Sequence, residues 1–287
     1  MNRHLTTALA AAALALGGAA VCAPQALAAG STLRLEHLAA RVIIVPEARD
    51  TIHAEVRNSG KGGLARPQLT VNGADLTVSS DISTSKMHNC RVRGFGHGVK
   101  LGFFKRVAEE DLPVITVRTP MDVQVVVDGA VEGEIGAAHA VNLTQKRCGA
   151  WKVADVADHF EYELEGVSDL SAGSAHSTTI RLEGMGDVHV RSTGSLDASL
   201  QGMGDITIDQ VNGPVKASLQ GMGDLKIKGG HATDFQASLE GMGDIRFDGV
   251  ADTVDASADG MGDVKIARAT GQVSKSQNGF AKVIIGK

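Results

Sequence analysis

The chain has 287 residues, a net charge of −5 with histidine neutral, and only 3% aromatic residues. That length suits one large all-β domain or two smaller ones, and the acidic balance argues against nucleic acid as the main partner. The charge is uneven: residues 29–150 carry 15 Lys/Arg against 13 Asp/Glu, whereas residues 151–287 carry 12 against 20.

The chain opens with a short basic start, Met1 to His4, followed by an Ala, Leu and Gly run from Leu5 to Val21 and then Ala26-Leu27-Ala28. This pattern reads as a secretory signal peptide over residues 1–28, cut after Ala28. No later stretch is apolar enough to span a bilayer as a helix. The expected location is therefore periplasmic or secreted, in the cell envelope. After cleavage Cys90 and Cys148 are the cysteines that remain, and in an oxidising compartment they are expected to form one disulfide.

Residues 29–112 are expected to form an N-terminal β region, interrupted at 86–106 by a basic and aromatic insertion. Lys86 to Arg106 contains six Lys/Arg, no acid and three of the seven Phe residues. Its residues Arg91, Arg93, Phe95, Lys100, Phe103, Phe104, Lys105 and Arg106 are candidates for binding a partner: an anionic lipid surface, an acidic glycan or an envelope protein. The competing expectation is a hairpin pinned by Cys90, with its phenylalanines packed on the scaffold.

From residue 113 to 287 a repeat governs the sequence. Gly184-Met185-Gly186-Asp187 recurs from Gly202, Gly221, Gly241 and Gly260, at spacings of 18, 19, 20 and 19 residues. Degenerate copies start at Gly166 and Gly279, and Gly149-Ala150-Trp151-Lys152 is a candidate earlier copy. Each repeat reads as two short strands around the turn. In the unit from Val215, alternation points Val215, Ala217, Leu219, Leu225 and Ile227 inward and Lys216, Ser218 and Lys226 outward. One unit cannot bury its own inner face, so the units must stack. The fold class expected is all-β, a single-chain β-helix (β-solenoid) with about 18–20 residues per rung. Gly accepts positive φ where the coil bends.

Stacking lines up columns of like residues. The Asp column (Asp187, Asp205, Asp224, Asp244 and Asp263, preceded by Asp169) is expected to bond backbone N–H groups, with calcium binding as the sharper alternative. Lys282 takes the Asp position in the last rung, and Lys152 is expected to do so before the first. The Met column (Met185, Met203, Met222, Met242 and Met261) is expected to pack inward, because Val167 and Phe280 take its place in degenerate copies; exposure would instead make it an apolar stripe for a partner. Copper(I) is the other use of aligned thioethers. The Ser column, Ser199, Ser218, Ser238, Ser257 and Ser276, has no recurring base beside it and is expected to be a surface ladder.

These Gly-x-Gly-Asp repeats resemble the head GIN domain of auto-transporter adhesins, with Met where that family has Ser. Pro113 to Pro120 looks like the strand that leads those domains into their solenoid, and Val42 to Val45 and Leu76 to Val78 resemble their opening strands. The resemblance implies a secreted or envelope-exposed β-helix. Self-secretion needs a C-terminal membrane barrel, and none follows the last rung, so this chain is not expected to secrete itself. The function expected is a non-catalytic binding, adhesion-like or structural module without a cofactor. The alternative is a β-helix lyase or hydrolase of polysaccharide, which requires one isolated acid/base constellation, whereas the repeat acids are equivalent to one another.

Overall fold

The computed structural model describes residues 30–57, 63–83, 91–92, 98–102 and 105–286, with the backbone alone at 91–92. Its strands stack as parallel coils, each hydrogen-bonded to the coil before and after. In the repeat region β13 (Val167–Leu182) pairs in parallel with β14 (Val188–Leu200), which pairs with β15 (Ile206–Asn212) and β16 (Val215–Leu219). The stack continues through β17 (Leu225–Ile227) and β18 (Gly230–Leu239) to β19 (Ile245–Ala258). It closes with β20 (Asp263–Ala269), β21 (Val273–Gln277) and β22 (Lys282–Ile285). This is the β-solenoid that the period implies.

The period-two alternation sets which side chains enter the coil. Val215, Ala217, Leu219, Leu225 and Ile227 are all buried, and Lys216 and Lys226 are exposed. Interior columns follow the register: Leu170, Val188, Ile206, Leu225, Ile245 and Val264 lie one above the next. Within the coil Phe235 and Phe247 stack at 5.0 Å, nearly parallel, an arrangement that adds about 0.5–1.5 kcal/mol to their burial.

The stack does not begin at residue 113. β1 (Thr32–Pro46) is already a full rung, paired in parallel with β9 (Asp122–Ile135). The chain then leaves the stack and returns beneath it: β4 (Asp75–Ser79) and β8 (Val114–Thr119) pair in parallel with the two halves of β1. β2 (His53–Arg57) and β3 (Gln68–Asn72) add antiparallel to β8 and β4. Within residues 29–112, β1 and β4 are thus strands of the same parallel stack as the repeats. β1 lies between strands that follow it by some forty to ninety residues and carries no Gly-Met-Gly-Asp turn. Above β9 come β10 (Ala140–Gln145) and β11 (Cys148–Val153), then β12 (His159–Leu164) with the first half of β13.

The same register corrects the candidate early repeat. Cys148, not Ala150, pairs with Val167, and Lys152 pairs with Ser171. Lys152 therefore lies off the Asp column, where Ala150 stands opposite Asp169. Trp151 instead points into the coil and is 1% exposed, its indole N–H donating to Gln145 Oε1 at 2.8 Å. Gly133 lies directly beneath it, where any Cβ would fall 2.1 Å from the indole ring.

Candidate functional site

The two glycines of each turn serve different needs. The second takes positive φ, from 134° at Gly204 to 154° at Gly262, a region nearly closed to L side chains. The first has no such angle. It is confined by stacking, because a Cβ on Gly202 would lie 1.9 Å from the carbonyl oxygen of Gly184 one coil below. Between them the Met backbone pairs with the Met of the next coil, as in the bridges from Met185 to Met203 and from Met203 to Met222. Met203 N–H donates to Gly184 O at 2.9 Å, and Gly204 N–H donates to Met222 O at 3.1 Å. The turn is a continuous ladder and holds its central side chain pointing away from the coil.

The Met column is accordingly outside, not inside. Met185, Met203, Met222, Met242 and Met261 are 42–57% exposed. The expectation of inward packing is overturned, and the geometry of the turn is the cause: both neighbours of each Met are glycines against the coil below, so the Met side chain has only solvent to enter. Four of these residues, with Gly202, Gly221 and Gly241, line a shallow open groove running across the coils. Phe280, two residues before the pairing of Lys282 with Asp263, takes the place in sequence that Met261 has in the coil below and is 89% exposed. The result is an apolar, polarizable stripe on the surface of the coils.

Polar side chains, most of them carboxylates, border the stripe on both sides. One margin is formed by the residues before each first glycine, Glu183, Gln201, Gln220, Glu240 and Asp259, all exposed. The other is the Asp column. There each carboxylate accepts the backbone N–H of the Asp one coil on: Asp187 N–H to Asp169 Oδ1 at 3.2 Å, Asp205 to Asp187 at 3.0 Å, Asp224 to Asp205 at 2.9 Å, Asp244 to Asp224 at 2.9 Å and Asp263 to Asp244 at 2.8 Å. These bonds offset like-charge repulsion, which at coil spacing in water is about 1 kcal/mol or less. At the top of the column Lys282 pairs with Asp263 in register. Lys265 bridges Asp244 at 2.9 Å and Asp263 at 3.0 Å. Burial opposes ionisation of Asp244, but the Lys265 ammonium and the Asp263 N–H outweigh it and hold that carboxyl below its ordinary range. Among the described residues, no cluster of three or more His, Cys, Asp or Glu side chains converges as a metal site would require.

The Ser column runs in register from Ser199 to Ser276 on the first strand of each coil. Within it Ser257 donates to Ser238 Oγ at 3.5 Å.

The insertion forms its own three-stranded antiparallel sheet, β5 (Arg91–Val92), β6 (Val99–Leu101) and β7 (Lys105–Val107). Its inner face, Val99, Leu101 and Val107, packs with Ile82 and Leu112 on Ala39, Ala130, Cys148 and Ala150 of the coils. The residues that seat it are thus aliphatic. Lys105 and Arg106 are exposed, Lys100 is half-buried and aligned across the sheet with Arg106 and Arg91, and Lys105 Nζ donates to Gly63 O at 3.2 Å. Arg93, Phe95, Phe103 and Phe104 lie outside the described residues, as do Cys90 and the segment expected to be a signal peptide. Cys148 is 4% exposed beneath this sheet, and β5, which directly follows Cys90 in the chain, lies against β11, which begins with Cys148.

The sheet covers a position that sequence reading did not connect to the repeats. Traced down the register from Met185, the Met column becomes Val167, Cys148, Ala130 and Ala39. The face that is bare over the Met residues is therefore the one the insertion covers lower down. Cys148 carried no Gly-Met-Gly signal around it, so only the pairing reveals the continuity.

These features define a parallel β-solenoid with an apolar stripe between acidic margins, partly roofed by a basic insertion. No family model and no curated protein matches the chain. Among solved structures it is similar to the crystal structure of a putative adhesin from Bacteroides fragilis, with 16% identity, 88% of this chain and 91% of that chain covered, and a TM-score of 0.44. Among the described residues no helix is long and apolar enough to cross a membrane.

Proposed function

We propose that this chain is an exported, non-catalytic binding module of the cell envelope, and that the Met stripe is its binding face. The observation that carries this reading is the contiguous exposure of five thioether side chains on a rigid ladder, where a folded protein ordinarily limits exposed apolar patches. Export is supported by the signal-like residues 1–28, and the head GIN resemblance of the repeats agrees with an envelope address. A Cys90–Cys148 disulfide suits that compartment and would fasten the insertion to the coils. A non-catalytic role is supported by the equivalence of the repeat acids, each of which commits one oxygen to the coil above.

The test is a triple variant, Met203→Ser, Met222→Ser and Met242→Ser, in the full chain. Because these side chains are about 43% exposed, far-UV circular dichroism and melting should change little. Binding of an apolar fluorescent dye such as bis-ANS should fall severalfold. Unchanged dye binding by the folded variant would remove the stripe as the binding face.

A further inference from the structure

We propose that the stripe receives a cationic amphipathic helix; this rests on the stripe being the binding face and names the chemistry of its partner. Three independent observations converge on that occupant.

The first is continuity with an interface the chain already makes. Lower in the same column, at Ala39, Ala130 and Cys148, the face is covered by a segment of the chain itself. That cover is apolar beneath, through Val99, Leu101 and Val107, and basic in sequence, with six Lys/Arg and no acid between Lys86 and Arg106. The column changes from small residues to long flexible ones where the cover ends. Small residues fit a fixed roof, and Met fits a partner that arrives separately, because its unbranched thioether adapts to the surface it meets.

The second is charge. Glu183, Glu240 and Asp259 border the stripe on one side and Asp187, Asp205 and Asp224 on the other. Beyond the Asp margin the upper coils carry Lys265, held by Asp244 and Asp263, Arg246, held by Asp248, and Lys226, two residues past Asp224; Lys152 stands at the foot of the same row, below Ser171, and Lys228 is held by Asp209. In the lower coils the equivalent outward residues are His189 and Thr207. An apolar ridge with basic flanks matches this profile, and an acidic one is repelled.

The third is spacing. The stripe advances one Met per coil, about 4.8 Å, so the five Met residues span about 19 Å. Side chains along one face of a helix recur every three to four residues at 1.5 Å each, about 4.5–6 Å, in step with the coils. Same-face side chains of an extended strand recur about every 6.6–6.8 Å and fall out of step. A helix of about 13 residues would occupy the whole ridge.

The experiment titrates the full chain, labelled at the methionine methyl groups, with a 15-residue Leu/Lys peptide of helical amphipathic design. Two controls accompany it: the same peptide with every Lys replaced by Glu, and a scrambled Leu/Lys peptide without an amphipathic face. The expected result is saturable shifts of the Met203, Met222 and Met242 methyl resonances by the cationic helix. Its affinity should exceed that of either control by about tenfold or more and weaken as salt is raised. The variant Glu183→Gln, Asp187→Asn, Asp205→Asn should weaken it severalfold, since Asn keeps the oxygen that accepts the next coil's N–H and so preserves the ladder. Equal or tighter binding of the acidic peptide at the same methyl groups would overturn the cationic partner while leaving the stripe as a binding face. Binding that shifts no stripe methyl, or that survives the triple Met→Ser change, would overturn both. Concentration-dependent shifts of those methyls without peptide would assign the stripe to a second copy of this chain and overturn the helix.

Discussion

Replacing Gly223 by Ala places one methyl group in the middle of the turn ladder, at two costs. Gly223 has φ 135°, so an L side chain there carries strain of about 1–3 kcal/mol. The new Cβ would also lie 2.0 Å from Gly204 O. That oxygen belongs to backbone and cannot swing away, so the coils must part by about 1 Å to restore ordinary contact. Three ladder bonds cross or border that point: Gly223 N–H to Met242 O at 3.1 Å, Met222 N–H to Gly202 O at 2.9 Å and Gly204 N–H to Met222 O at 3.1 Å. Losing two of them costs about 2 kcal/mol, for a total of about 3–5 kcal/mol. Met222→Ala in the same turn removes a side chain that is 43% exposed and should cost under about 1 kcal/mol. Urea unfolding followed by far-UV circular dichroism compares the two. If Gly223→Ala costs less than about 1 kcal/mol, or no more than Met222→Ala, the stacking account of the turn is wrong.

Trp151→Ala empties the coil at a site where the indole is 1% exposed and strands the Gln145 amide that it caps; a loss of about 3–5 kcal/mol is expected in the same unfolding assay. The carboxyl of Asp209 is held below its ordinary range by Lys228, then by His189, against a weak desolvation. A depressed folded-state pKa contributes stability above the unfolded value of 3.8 and loses it as pH falls through the folded value. Asp209→Asn should therefore lower the melting temperature slightly near neutrality and converge on the native chain below about pH 4, so that its acid limb is flatter. His139, bonded to Asp122 at 2.7 Å, has its pKa raised from 6.5 by that hydrogen bond and charge. Its imidazole resonances should titrate above 6.5 in the native chain and nearer 6.5 in Asp122→Asn. Non-reducing peptide mapping should recover a Cys90–Cys148 cross-linked pair, and two free thiols would refute the fastening of the insertion. Because one oxygen of each column Asp from Asp169 to Asp244 is spent on the next coil, melting with and without a calcium chelator should coincide; a lower melting temperature with chelator would reinstate calcium.

Much of the architecture is written in the sequence, because a solenoid repeats its physical problem every 18–20 residues. The alternation in Val215 to Leu219 and in Leu225 to Ile227 states which face is inside, and burial follows it residue by residue. The Asp ladder is legible for the same reason, since stacked like charges require a donor at every level and each coil supplies its own N–H. The Met position was not legible. Val167 and Phe280 as substitutes suggest inward packing, yet Phe280 is 89% exposed, and each Met, between two glycines at a bend, has nowhere inward to go. Nor does sequence show that β1 enters the stack between β8 and β9, because parallel pairing across some ninety residues leaves no local trace. Lys152 illustrates the same limit, as two residues of slip move it from the Asp column to the row of Ser171.

The column that joins Ala39 to Phe280 explains why one chain would carry both a basic insertion and a bare thioether ridge. A parallel stack gives every coil the same outward position, so any chemistry placed there is repeated unless the sequence intervenes. In the lower coils it intervenes with Ala39, Ala130 and Cys148, and a sheet seated by Val99, Leu101 and Val107 closes the face. In the upper coils the turn is kept identical five times, which folding alone does not demand: Val167 shows that the ladder accepts another residue between its neighbours. Met on five consecutive coils is the feature from which we propose an outside partner, and the acidic margins on either side favour one with an apolar surface and basic edges.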